Sequence, residues 1–317
     1  MLIIDNNISD PWFNLAAEEY LFKNFTGEVF MVYINTRSVI IGKHQNPLEE
    51  INPRCLREEN IPVIRRISGG GAVYHDEGNL NYTYISNTAE GKQINFYAYA
   101  KPIISFLKKL GIDAYAGEKN EIRTDGLKIS GNAEHVFKNR VLHHGTILFS
   151  ANLELMSRCL EKTDVLITSR AVRSNRDRVC NLENRMRGIR DIAELKRKLL
   201  DYISLTEPNS ESYVLTENDI ENIKKIREEK FRTWEWNYAW GPDYIFSKNF
   251  SIGGYQVDLR MEVSKGIIRE CKFSGPSSWK KVEYLLRDER HNYDDIARVF
   301  TDNGLTSDSD LIYNFLI

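Results

Sequence analysis

Cysteine is scarce: Cys55, Cys159, Cys180 and Cys271 are scattered through 317 residues with no C-x-x-C pair. That excludes a disulfide framework or a cysteine-based zinc site and points to a reducing compartment. No apolar run approaches the ~20 residues that span a bilayer, so a membrane helix is not expected. The start, Met1-Leu2-Ile3-Ile4-Asp5, lacks a basic n-region and a long apolar core, so neither is a signal peptide. Neither sign of charge prevails: 43 Lys and Arg stand against 45 Asp and Glu, which removes a whole-chain reason to expect nucleic acid or an anionic membrane. Internal repeats and low-complexity segments are absent. What is present is an ordinary globular composition, 42% hydrophobic and 28% charged, long enough for one large domain or two. A cytoplasmic protein is expected.

One stretch stands out, Arg65-Arg66-Ile67-Ser68-Gly69-Gly70-Gly71-Ala72-Val73-Tyr74-His75-Asp76-Glu77-Gly78-Asn79, lying between strand-like runs at 62–64 and 80–85. Three consecutive glycines are costly to order and have no side chains to pack. Either bare backbone N–H groups must approach something closely, an anion given Arg65 and Arg66, or the run is a flexible turn with surface arginines.

Around it the chain alternates helices and strands. A helix opens at Pro11, capped by Asp10, and ends by Gly27; strands follow at 28–34 and 38–42, joined through Asn35-Thr36-Arg37 and both central in character. The polar loop Gly42–Asn46 leads to a short helix over Pro53–Glu59. A longer helix spans about Asn95 to Leu110, with Pro102 expected to kink it. Strands at 114–116 and 121–123 precede a hairpin, 127–137 and 141–149, turning at Lys138-Asn139-Arg140. Gly131 and Gly145 lie inside its arms, where either a close approach or a bulge explains them. Periodicity fails from Lys162 to Arg190. Thr168–Leu182 carries four arginines against one aspartate and reads as a functional loop or a solvated basic surface. Helices at 191–203 and 217–231 follow, then the tryptophan-rich segment Thr233–Trp240 with a Gly241-Pro242 breaker. A strand pair at 250–263, a strand at 266–273 and helices at 278–286, 294–300 and 308–315 form a small α+β unit. The chain therefore divides into 1–243 and 244–317.

The glycine stretch resembles the signature of the lipoate–protein ligase A family. Three further pieces match in order: Lys128-Ile129-Ser130-Gly131-x-Ala133, His143-His144-Gly145-Thr146, and Ser174-x-Arg176-x-Arg178-Val179-x-Asn181-Leu182. The Trp234-Glu235-Trp236-Asn237 stretch and the small α+β unit are similar to the family's accessory part, so the resemblance covers essentially the whole chain. It implies an α+β fold with a mixed-sheet catalytic domain of biotin/lipoyl ligase type. It implies an activity in two steps: lipoate and ATP give lipoyl-adenylate and pyrophosphate, then a carrier lysine takes the acyl group and AMP leaves. The implied partners are lipoyl domains of 2-oxoacid dehydrogenase E2 subunits and the glycine cleavage H protein; a monomer is expected.

Carried over residue by residue, the family motif makes Lys128 the catalytic cation, reaching the lipoate carboxylate and the α-phosphate as a compact point charge. Adenylate binding falls to Arg66, Gly69, Gly70, Gly71, Ala72, Val73, Tyr74, Asn79 and Lys128, with Tyr74 against the nucleoside or in the strand core. Lipoate would meet Ser68, Gly71, His75, Lys128, His144 and Gly145, with the Gly42–Asn46 loop as further wall. Arg173, Arg176 and Arg178 belong to a lid over the adenylate, expected to be disordered or displaced without ligand. Mg²⁺ should accompany ATP, with Asp76, Glu121 and Asp125 as candidate ligands. The chain departs from the pattern at His135, where Arg is expected, and at Cys180, in place of Thr. The latter raises a rival: carrier-to-carrier acyl transfer through a Cys180 thioester, its pKa lowered by arginines. A non-catalytic lipoate- or nucleic-acid-binding protein is a further alternative. Biotin specificity is disfavoured by the missing Gly-Arg-Gly-rich loop.

Overall fold

The structure, a computed structural model, describes residues 1–88, 95–161, 163, 165–175 and 177–317. Strands in chain order are β1 (Leu2–Asp5), β2 (Val29–Ile34), β3 (Ser38–Ile41), β4 (Val63–Arg65), β5 (Val73–His75), β6 (Asn79–Asn87), β7 (Tyr115–Ala116), β8 (Glu121–Thr124), β9 (Leu127–Phe137), β10 (Arg140–Leu148), β11 (Leu166–Ser169), β12 (Glu211–Ser212), β13 (Tyr244–Ile252), β14 (Tyr255–Ser264) and β15 (Ile267–Ser274). They make a mixed sheet ordered β12-β1-β2-β6-β10-β9-β8-β7, a small sheet β4-β3-β5, and a C-terminal sheet β11-β13-β14-β15. With the helices around them this is an α+β fold, as expected.

Helix α1 (Pro11–Asn24) starts as its sequence dictates: Asp10 accepts from Trp12 N and Phe13 N, and Pro11 occupies the first position, where no N–H is needed. It is buried on nearly every side, between the main sheet and α6 (Glu217–Ile226). Between α1 and α6 in the chain lie α2 (Pro53–Glu58), α3 (Phe96–Lys109), α4 (Leu153–Cys159) and α5 (Ile192–Thr206). α3 and α5 cover one face of the main sheet through Ile103, Leu107, Leu195 and Leu199. α7 (Val282–Leu285), α8 (Tyr293–Asp302) and α9 (Ser309–Tyr313) back the C-terminal sheet.

Three differences from the sequence reading matter. The runs at 29–34 and 38–41 are both central, but in different sheets, because the chain crosses from β2 into the small sheet at Asn35–Arg37. β5 emerges inside the glycine stretch and pairs antiparallel with β3, while β4 pairs parallel with β3. And β11, from the segment without periodicity, is the edge strand of the C-terminal sheet, paired with β13 from Leu166↔Ser247 to Ser169↔Tyr244. Four residues with one buried side, at Ile167, are too few for a period to show. The β9–β10 hairpin forms, with Lys138 at φ 54° in its turn.

Candidate active site

Two cavities of about 370 Å³ and about 410 Å³ open side by side between the glycine stretch and β9–β10. Leu15, Tyr33, Ile40, His75 and His144 line the first. Leu148, Leu153, Met156, Leu160 and Tyr74 line the second. Lys128 and Val73 line both, so the cavities meet at the lysine. Its side chain runs back over Gly131, where a Cβ would lie 3.2 Å from Nζ. The glycine makes room for the catalytic-type cation. Gly145 does the same for the Tyr82 hydroxyl and Asn132, which would both collide with a methyl there. Close approach, rather than a bulge, accounts for both glycines.

The two arginines serve different ends. Arg65 is fully buried and faces away from the cavities, donating to the carbonyls of Gly42, Lys43, Gln45, Trp236 and Asn237. It does not flank an anion site. Arg66 lines the first cavity and folds the glycine run around itself, donating to Gly69 O at 2.5 Å, Gly71 O at 2.8 Å, Ile40 O at 3.2 Å and Ser68 Oγ at 2.9 Å. Gly70, at φ 87°, allows that curl.

Behind the run lies a chain of buried polar groups. Ser68 is fully buried and lines neither cavity; its Oγ is 2.6 Å from His144 Nε2. His144 Nδ1 is 2.9 Å from Glu18. Burial pushes the Glu18 carboxyl up, but His144, Thr83 and Tyr33 together hold it below the usual carboxylate range. Glu18, on α1, gave no signal in the sequence because helical glutamates are normally solvated. His75 takes Asn35 Nδ2 on its Nδ1 at 3.0 Å, and Asn35 is itself oriented by Asn14. Burial, with Arg66 and His144 nearby, pushes His75 down to about 3, so it is neutral. None of the Gly42–Asn46 residues lines either cavity, which corrects their assignment as wall.

Lys128 is held low first by burial, against the pull of Glu121 and Asp177. A partly desolvated ammonium in such a place favours an incoming anion. Arg123 ties the two acids together: Nε donates to Glu121 at 2.8 Å and Nη2 to Asp177. Of the metal candidates, Glu121 lines the first cavity. Asp76 does not: its carboxylate caps Gly78 N and Asn152 N. Asp125 is paired with Arg185 at the surface. Asn79 is buried, bonded to Asn81, and lines neither cavity. Among the described residues no three His, Cys, Asp or Glu side chains cluster as a resident metal would require.

The arginine-rich segment lies over this junction. Arg178 O and Cys180 N pair with the Lys128 backbone. Arg173 reaches Glu49, and Ser174 Oγ accepts from Ala72 N. Arg173 lines the first cavity and Arg178 the second; Arg176 is outside the described residues. These contacts dock the described part of the segment over the junction. Cys180 lines neither cavity, and burial pushes its thiol up, with Arg185 opposing only in part. Packed at the rim of the main core, it lacks the lowered pKa a thioester nucleophile needs.

Comparison with known proteins agrees with this geometry. Residues 10–204 match the lipoyl protein ligase A/B catalytic domain family and residues 242–311 the bacterial lipoate protein ligase C-terminus. Lipoate–protein ligase 1 of Staphylococcus aureus is 38% identical over 309 residues, 96% of this chain and 94% of the relative. A lipoate protein ligase of T. acidophilum, solved with bound lipoic acid, superposes with TM-score 0.64 at 25% identity, over 75% of this chain and 98% of that one. Lipoate-protein ligase A bound with ATP superposes with TM-score 0.62 at 26% identity, over 75% and 97%. With its catalytic and C-terminal parts both matched and its cavities meeting at a half-buried lysine, the chain belongs to the lipoate–protein ligase family.

Proposed function

We propose that this ligase works through an acyl-adenylate, with the acyl chain of lipoate in the first cavity and adenosine in the second. The observation that carries the assignment is Lys128 at their junction. Apolar Leu15 and Ile40 suit an eight-carbon chain; the slot beside Leu153, Met156 and Leu160 suits a flat base, with the Tyr74 ring in its wall. In the first step the lipoate carboxylate attacks the ATP α-phosphorus and pyrophosphate leaves. Two anions must meet, and Lys128 Nζ, freed from water, offsets their repulsion as charge moves from carboxylate to phosphoryl oxygen. Arg66 shapes Gly69–Val73 so that backbone N–H groups line the phosphate's path. In the second step a carrier lysine attacks the acyl carbon, forming an amide and releasing AMP.

Mg²⁺ would arrive with ATP and supply charge neutralisation on the phosphates; Glu121 fits as its protein carboxylate, since nucleotide-borne Mg²⁺ needs only one or two. Lipoyl-carrier domains are the protein partners, with 2-oxoacid dehydrogenase E2 subunits and glycine cleavage H protein as the classes to test. We assign the chemistry to 1–243 and an accessory role to 244–317, in a cytoplasmic monomer; among the described residues no helix is long and apolar enough to cross a membrane.

The test is pyrophosphate release from lipoate, ATP and magnesium. Lys128→Ala should lower it by roughly a hundredfold or more, while Cys180→Ala retains it. Activity that survives in Lys128→Ala and vanishes in Cys180→Ala would replace the adenylate with a thioester.

A further inference from the structure

Gln45 lies in the polar loop that leaves β3, and its side chain is fully buried. One bond orients it: Oε1 accepts from Gly42 N at 2.8 Å. Nε2 is then the free donor, and it points at Ser174 Oγ, 3.1 Å away. The same oxygen accepts from Ala72 N at 2.8 Å. Two N–H groups, fixed by different loops, converge on one oxygen beside the junction of the cavities, which Ala72 and Ser174 both line. Converging fixed donors favour an anionic oxygen, and a neutral hydroxyl uses only part of their field.

Ser174 is delivered there by the docked segment, whose backbone N donates to Glu50 at 3.0 Å. The fit leaves no spare room. A Cβ on Gly71 would lie 2.8 Å from Ser174 Oγ and 3.1 Å from its Cα. A phosphoryl oxygen and the serine hydroxyl cannot occupy this place together.

We propose that Gln45 Nε2 and the Ala72 N–H form a two-donor site for one phosphoryl oxygen of the nucleotide, and that Ser174 Oγ fills it until nucleotide displaces the hydroxyl. This rests on the adenylate-forming reading and adds to it a binding residue outside the glycine run. Gln45 binds the anion; Ser174 competes with it. Nucleotide would enter by lifting Ser174 off the Ala72 amide.

The experiment is titration calorimetry of the full chain with ATP, beside the KM for ATP in pyrophosphate release. Ser174→Ala should bind ATP several-fold tighter, since the competing oxygen is gone. Gln45→Leu should bind it roughly tenfold weaker or more, the loss expected for a hydrogen bond to a charged group. In the double variant the gain from Ser174→Ala should shrink, because without Gln45 the serine is held less firmly. Should Gln45→Leu fail to fold, Gln45→Glu keeps the shape, turns the donor into an acceptor, and must weaken ATP binding at least as much. ATP affinity unchanged or reduced in Ser174→Ala would overturn the displacement, and a folded Gln45→Leu with unaltered affinity would overturn the donor role. Absence of pyrophosphate release by the unaltered chain would instead sink the adenylate reading, so the two failures are distinguishable.

Discussion

Arg65 donates to five backbone carbonyls, of Gly42, Lys43, Gln45, Trp236 and Asn237. Arg65→Met would leave those acceptors dry, which should cost at least about 3 kcal/mol and lower the thermal midpoint by roughly 5–10 °C. Arg66→Met should act differently, reducing adenylation because Gly69 and Gly71 lose the group they curl around. Calorimetric melting and pyrophosphate release on both variants separate the two roles. Nothing in the dipeptide Arg-Arg distinguishes them, because which side of a short strand faces the cavity depends on the partner loops, and those come from residues 42–45 and 236–237. Lys128 was legible because its motif supplies Gly131, and the glycine's purpose is visible in the lysine lying across it. Glu18 was not, since a helical glutamate becomes a buried partner only through His144, Thr83 and Tyr33, far away in sequence. Gly71→Ala sharpens the point. Its methyl would stand 2.8 Å from the place Ser174 Oγ now fills, where the phosphoryl oxygen is proposed to sit, so adenylation should be lost while the fold, read by circular dichroism, persists.

At the scale of elements, helix starts and the β9–β10 hairpin were readable from caps and turn residues, whereas pairing partners were not. β11 is the case in point: four residues that join the C-terminal sheet and run straight into the segment bearing Arg173 and Ser174. Its Ile167 is buried in the C-terminal core beside Leu48. The docked segment is thus anchored at one end by a sheet and at the other by backbone pairing to Lys128. Ile167→Ala should cost about 2–4 kcal/mol locally and loosen that first anchor. Hydrogen exchange at residues 170–175 should then rise several-fold, with exchange in β9 unchanged. Equal exchange in both chains would show that β11 does not hold the segment. In the unaltered chain, lipoyl-adenylate should alter protection across 170–178, since Ser174 must leave Ala72.

For the molecule as a whole, acid should be the sensitive direction, and the reason is three buried histidines in separate places. Burial pushes His75 and His143 down to about 3 and His291 down to about 4. His291 shows why neutrality is built in: its ring lies between the Tyr244 hydroxyl, 2.7 Å from Nδ1, and Phe315 O, a carbonyl that only an N–H on Nε2 can serve. Below about 6.5 the unfolded chain takes up protons that the folded chain refuses, so stability present above that pH is lost as pH falls toward 4 and then 3. One group works in the opposite sense. Glu134, pushed up to about 7 by burial, binds its proton more tightly when folded, so its contribution is lost as pH rises from about 4.5 to 7. Glu134 Oε1 lies 2.9 Å from His143 Nδ1, so those two titrate as a pair, and the net fall in stability between pH 6.5 and 5 rests on His75 and His291. Because His291 belongs to the C-terminal core while His75 lies in the small sheet and His143 in the main sheet, the fall should be shared by both parts of the chain. Thermal midpoints at pH 7.5, 6.5 and 5.5 test this. The midpoint should drop steadily on acidification, the slope should flatten in His291→Gln, and it should steepen in Glu134→Gln. A midpoint independent of pH across that range would mean that the histidines find protonated partners when folded, contrary to the bonds to Tyr244, Asn35 and Phe315 described above.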